Sequence, residues 1–308
     1  MLAPVVLFVY KRCDHTKRVL ESLASNFLAE QTDVFIFSDG AKTVSDQDAV
    51  DQVRNLINNQ KWKTCFRNVS IFEAETNKGL ANSVINGVSD IIQRYGKTIV
   101  VEDDLILSKE FLRYMNNALD YYENIPEIWS ISGYSFPMKA LKRYPHDVFY
   151  SYRGCSWGWG TWKNRWDMVD WECKDYNAFI QDPNWIQKFD RGGSDLSKML
   201  TCQMKGIIDS WAIRWCFAQS NAEMYTVYPK VSYVINDGLD GSGTHSGITG
   251  IFDTTLFESS EMTMEKLEID PKITKEFWTK YSNPREPLHK KIIRRTKKLY
   301  RIIFNKQG

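Results

Sequence analysis

The chain has 308 residues, with hydrophobic types at 43%, charged types at 25% and a formal net charge of +2. That length fits one large α/β domain or two small ones, and the composition is that of a globular protein. So small a net charge excludes a protein that grips a long phosphate backbone, and no nucleic-acid partner is expected.

Val5 to Tyr10 is an apolar, β-rich run, too short for a signal peptide or a membrane span, and reads as a buried first strand. From Asp14, residues Val19, Leu20, Leu23 and Leu28 recur at helical spacing. Asp33 to Ser38 is a second strand, stopped by the turn pair Asp39-Gly40. Asp46 to Asn59 reads as a helix, Val69 to Glu73 as a third strand, and Lys78 to Tyr95 as a helix capped by Gly96. Thr98 to Val101 is a fourth strand, a helix runs from Phe111 towards Pro126, and Ile128 to Phe136 reads as a further strand. Beyond Arg153 the pattern turns to Trp-rich helices and loops, including Trp157, Trp159, Trp162, Trp166 and Trp171. These rings read mainly as core, though aromatics in excess can also line a site for flat, amphipathic ligands such as sugars and bases.

Strands alternating with helices predict a Rossmann-like α/β fold: a mostly parallel central sheet flanked by helices, with a Trp-rich second half. Residues 1–150 form one half, 151–284 the other half of the same domain, and 285–308 a basic tail. In such sheets ligands sit beyond the carboxyl ends of the strands. That singles out Lys11-Arg12, Asp39-Gly40, Glu75-Thr76-Asn77 and Glu102-Asp103-Asp104.

Three successive acids at a sheet edge repel one another and are costly to crowd unless a cation compensates. A divalent ion, Mn²⁺ or Mg²⁺, sharing phosphate oxygens with the protein would do so; a solvated acidic turn is the plain alternative. Asp39 can hydrogen-bond a base or ribose, or simply make an Asp-Gly turn. Arg12 can meet phosphate or base, or be a solvated arginine at a helix start. Asn77 and Gly79 open a helix, so Gly79 can let a nucleotide approach closely while Asn77 is also a natural N-cap. Asp209, in Ile207-Ile208-Asp209-Ser210-Trp211, is either a base or the N-cap of a Trp-bearing helix.

Residues 238–247 hold four glycines in ten positions, the composition of a loop able to close over a diphosphate or of a plain mobile surface loop. Within it Ser242 and Thr244 can donate to phosphate, and His245 can meet metal or phosphate. The tail carries nine Lys/Arg against Glu286, with Ile292, Ile293, Leu299, Ile302, Ile303 and Phe304 among the cations. It reads as an amphipathic segment for an anionic membrane surface, or as a solvated basic tail. Six scattered cysteines make neither a zinc ribbon nor a disulfide scaffold. Reduced thiols and the absence of a leader point to a cytoplasmic protein, peripheral on the inner face of the cytoplasmic membrane.

Strand-Asp-Gly, Asn-x-Gly at a helix start and strand-Glu-Asp-Asp together resemble the nucleotide-sugar half of glycosyltransferases with the GT-A fold. Glu102-Asp103-Asp104, Gly154-Cys155-Ser156-Trp157 and the later Asp-x-Trp resemble the N-acetylglucosaminyltransferase I-like group within them, over roughly residues 4 to 250. The resemblance implies a metal-dependent, inverting transfer from a nucleotide-diphosphate donor, a UDP-sugar, to a saccharide or lipid-linked saccharide acceptor in surface-polysaccharide assembly. It also implies roles: Arg12 and Asp39 holding the base, Asp104 the metal, Glu102 and Asp103 the sugar or ribose, and Asp209 as general base. In the related motif the acid directly precedes Trp, whereas here Ser210 intervenes. Two other functions remain open: a sugar-phosphate nucleotidyltransferase, against which Tyr10 to Asp14 offers no glycine-rich phosphate loop, and a non-catalytic carbohydrate-binding protein.

Overall fold

A computed structural model describes residues 1–238, 252–259 and 262–282. Ten strands occur among them: β1 (Val5–Val9), β2 (Asp33–Ser38), β3 (Asn68–Glu73), β4 (Lys97–Glu102), β5 (Leu105–Leu107), β6 (Ile128–Ser132), β7 (Val148–Ser151), β8 (Trp159–Trp162), β9 (Tyr225–Pro229) and β10 (Val234–Asn236). Eight of them form one sheet in the order β3-β2-β1-β4-β8-β6-β9-β7, and β10 pairs with β5 in a separate ribbon. Around β1 the pairing is parallel, with Val5 opposite both Val34 and Ile99. Only β8 and β7 run against the common direction.

Every residue of β1 is buried, as a parallel strand covered on both faces requires. Its alternate side chains go to different cores. Val5, Leu7 and Val9 pack with Val19, Leu20 and Leu23 and with Met115 and Leu119. Val6 and Phe8 face Ala81, Val84, Val88, Ile91 and Ile92. The helices are therefore Cys13–Ala24 and Phe111–Tyr122 on one side and Leu80–Tyr95 on the other. The first of these ends before Leu28, which packs against the core from outside the helix.

The Trp-rich segment differs from its reading as helices and loops: Trp159–Trp162 is a strand at the centre of the sheet. It pairs with β4 on one side and β6 on the other, so the sheet continues across residue 150. Trp159, Trp166, Trp211 and Trp215 are all buried in one cluster with the face of Leu80–Tyr95. Trp159 and Trp211 stack at 5.0 Å, and Trp129 lies 4.4 Å from Trp215. These rings cement the helix Trp211–Asn221 onto the sheet. Among the five tryptophans singled out in the sequence, only Trp157 and Trp171 are less than fully buried.

Candidate active site

β1 is the point at which the strand order reverses, since β2 and β3 lie on one side of it and β4 on the other. Ligands in open α/β sheets occupy the crevice at such a point, beyond the strand ends. Here the ends of β1 and β4 deliver Arg12 and the acidic turn Glu102-Asp103-Asp104, brought level by the pairing of Phe8 with Glu102. The Arg12 guanidinium bonds both oxygens of Asp103, through Nη2 to Oδ1 and through Nε to Oδ2 at 3.3 Å. Nη2 also lies 3.1 Å from Asp104 Oδ2. Both carboxylates are buried.

Burial raises Glu102 well above the usual carboxylate range, with Asp104 and then Asp103 adding repulsion that Arg12 only partly offsets. Burial likewise raises Asp103, against the pull of Arg12. The turn is thus short of positive charge even with its arginine. Among the described residues, Asp104 Oδ1 and Arg12 Nη1 are both buried without a hydrogen-bond partner. One is an acceptor needing a cation or donor, the other a donor needing an anion, and a buried atom left in that state costs about 1–3 kcal/mol.

No group of three His, Cys, Asp or Glu side chains forms a metal cage among the described residues. A cage is not required of Mg²⁺-type sites, which use one or two carboxylates and complete their shell with substrate phosphates and water. The unsatisfied Asp104 oxygen fits that mode.

The structure adds Asp237, which the sequence reading did not single out, and places Gly238, the first glycine of the 238–247 segment, beside it. β10 pairs antiparallel with β5, Asn236 opposite Leu105, which lays Asp237 and Gly238 on the acidic turn. Asp237 N donates to Asp104 O at 2.8 Å, and its carboxylate pairs with Arg18 at 2.6 Å. Gly238 packs so closely that a Cβ there would sit 2.3 Å from Asp104 Oδ2. Gly238, the first residue of the glycine-rich segment, therefore packs against Asp104. Ser242, Thr244 and His245 within it lie outside the described residues, as does the basic tail 285–308.

Asp39, at the end of β2, is fully occupied within the chain. Its Oδ1 accepts from Gly40 N at 2.9 Å and Lys78 N at 2.8 Å; its Oδ2 accepts from Asn77 Nδ2 at 3.0 Å and Gly79 N at 3.1 Å. The helix Leu80–Tyr95 has no side-chain cap of its own. Asp39 instead fixes the two residues that lead into the helix, Lys78 and Gly79, and Asn77 ties back to Gly40 O at 2.8 Å rather than capping the helix. Gly79 takes φ +78, a conformation that favours glycine.

Asp209 reaches this same segment from the second half of the sheet. Its Oδ2 lies 3.4 Å from where a Gly79 Cβ would stand. The choice between base and helix cap falls to geometry: Ser210 is the N-cap of Trp211–Asn221, accepting from Ile213 N at 3.3 Å. Asp209 is left with a carboxylate 57% exposed, accompanied by Arg214 at 3.8 Å. An exposed carboxylate held only by one long ion pair can still reach a docked hydroxyl.

No protein-family profile matches the chain. No curated protein matches it either. Solved structures similar to it include S. aureus TarS, at 17% identity and TM-score 0.33 over 40% of this chain and 20% of that one. A second, TarS 1-349, has 12% identity and TM-score 0.45 over 78% of this chain and 61% of that one. A third is the galactosyltransferase LgtC in complex with donor and acceptor sugar analogs, at 8% identity and TM-score 0.37 over 73% and 72%. The chain thus spans a fifth and about three fifths of the two TarS chains. Likeness at this level leaves the chemistry to be read from the residues of the site.

Proposed function

We propose that this chain is a glycosyltransferase that moves a sugar from a nucleotide-diphosphate donor, a UDP-sugar, to a saccharide hydroxyl. The observation that carries the reading is the pairing of two unsatisfied buried atoms, Asp104 Oδ1 and Arg12 Nη1, at the switch point of the sheet. A diphosphate with a divalent cation answers both needs at once. Asp104 would hold the cation, Mn²⁺ or Mg²⁺, whose chemistry is to neutralise charge on the departing nucleoside diphosphate.

The remaining roles belong to the chain itself. Arg12 donates to a diphosphate oxygen, adding a charge-assisted hydrogen bond. Asp39 fixes Asn77, Lys78 and Gly79, so that the start of the helix presents backbone rather than side chain beside Asp209. Asp209 takes the proton of the acceptor hydroxyl as its oxygen bonds to the anomeric carbon and the bond from that carbon to the diphosphate oxygen breaks. Attack opposite the leaving group inverts the anomeric centre. The acceptor class is a saccharide, free or lipid-linked, and surface-polysaccharide assembly at the inner face of the cytoplasmic membrane is the setting we assign. No helix among the described residues is long and apolar enough to cross a membrane.

The test is incubation with a panel of nucleotide sugars while release of nucleoside diphosphate is followed, with Mn²⁺ or with EDTA. The reading expects slow, metal-dependent hydrolysis of at least one UDP-sugar, abolished by Asp104→Asn. Release that is unaffected by EDTA and by that substitution would overturn it.

A further inference from the structure

Arg12 makes an unusual set of contacts for a residue that is to meet phosphate. One guanidinium spans two adjacent carboxylates, whose side chains are only 7% and 11% exposed, so solvent screens these contacts weakly. Nη2 serves both acids, and Nε completes the grip on Asp103. The atoms of the pair that these contacts leave over, Arg12 Nη1 and Asp104 Oδ1, are both buried without a hydrogen-bond partner.

We propose that Arg12 is the resident counter-ion of Asp104, weakening divalent-cation binding until a nucleoside diphosphate arrives to share its charge. This rests on the nucleotide–metal reading of the site. A cation arriving alone would satisfy Asp104 Oδ1 but bring its charge onto a carboxylate whose other oxygen lies 3.1 Å from a guanidinium nitrogen. The two positive charges repel across a site where water screens little. A diphosphate reverses the sign of the problem. Its oxygens would accept a hydrogen bond from Arg12 Nη1 and share their negative charge with the cation, so that each positive charge would have an anion beside it.

Metal and nucleotide are thereby coupled through one side chain. By linkage each must raise the affinity of the other by the same factor. The arrangement favours cation and nucleotide entering together, and it keeps a metal-free protein from holding two buried carboxylates uncompensated. Arg12 is in this sense a positioning residue for the acidic turn before it is a ligand of the donor.

The experiment is titration of Mn²⁺ alone, and of Mn²⁺ with saturating UDP, into the wild type, Arg12→Gln and Arg12→Lys. Without UDP, Arg12→Gln is expected to bind Mn²⁺ about tenfold tighter than the wild type or more, within the usual span of coupling between sites. Arg12→Lys, which keeps the charge, stays near the wild type. UDP then tightens Mn²⁺ far more in the wild type than in Arg12→Gln. Equal Mn²⁺ affinity in the three proteins, with equal gains from UDP, overturns the counter-ion role and leaves the metal site standing. No Mn²⁺ binding by any of them, with or without UDP, overturns the nucleotide–metal reading and this inference with it. If Arg12→Gln is too unstable to titrate, its melting temperature decides: Mn²⁺ alone should raise it more than it raises the wild type's, and an equal rise overturns the proposal.

Discussion

Gly238→Ala puts the smallest possible group against Asp104. The added Cβ would lie 2.3 Å from Asp104 Oδ2, 2.9 Å from Cγ and 2.8 Å from Cβ. Ordinary contact is about 3.5 Å, so relief of the oxygen contact requires a shift on the order of 1 Å. Rotating the Asp104 side chain removes the first two clashes but not the third, since its own Cβ does not move. The backbone of one segment must yield, and overpacking of this kind costs about 1–3 kcal/mol. If that strain falls on the carboxylate, metal-dependent UDP affinity drops about 5–150-fold, the factor equivalent to the same energy. Calorimetry of UDP with Mn²⁺ measures the affinity, and urea unfolding of the apo protein shows how much of the strain appears as lost stability. A Gly238→Ala protein as stable in urea as the wild type that also binds UDP with Mn²⁺ within about twofold of it, far below the usual coupling range, would refute the close packing of Gly238 on an Asp104 that serves the nucleotide site.

Asp209→Asn should lower turnover by about 10²–10⁴-fold, as loss of a general base does, with UDP affinity unchanged; an equal loss in UDP binding would argue against the base role. Asp39→Ala strips the acceptor from Lys78 N, Gly79 N and Asn77 Nδ2, and urea unfolding should show a loss of about 1–3 kcal/mol. A variant as stable as the wild type that has lost only UDP binding would instead make Asp39 a base ligand. The third concerns pH. Glu102 is raised in the folded state by burial and by its two acidic neighbours, so its contribution to stability is full below its unfolded value of 4.5 and is lost as pH rises through the folded value. Apo-protein stability should therefore fall over that window, and Glu102→Gln should flatten the slope; an identical slope in the variant would exclude Glu102 as its source.

β1, β2 and β4 are legible because each is a short apolar run that parallel pairing leaves largely uninterrupted by polar positions, and the edge strand β3 because Val69, Ile71 and Phe72 stand out between polar ends. The same property exposed the strand ends, and with them Arg12, Asp39 and the acidic turn. What the sequence concealed is chiefly long-range. Arg12 and Asp103 are joined across 91 positions, and the β5–β10 ribbon that sets Asp237 and Gly238 on Asp104 joins still more distant segments. No local pattern encodes such pairings. β8 was missed for a different reason. Trp159-Gly160-Thr161-Trp162 is buried at every position, so it lacks the polar alternation that marks a half-buried strand, and its glycine reads as a loop residue. At Asp209 the two readings were evenly supported by residue type. The hydrogen bond from Ile213 N to Ser210 assigns the cap to Ser210, which residue type could not do, because either Asp or Ser makes a good cap.

The central claim is that Glu102-Asp103-Asp104 with Arg12 forms a nucleotide–metal site. Calorimetric titration of UDP into the wild type and Asp104→Ala, with Mn²⁺ and with EDTA, tests it most directly. The account predicts micromolar binding that requires Mn²⁺ and disappears in the variant. Silence from UDP, GDP and dTDP alike, with Mn²⁺ present, would contradict it and turn attention to a protein that binds glycan without nucleotide.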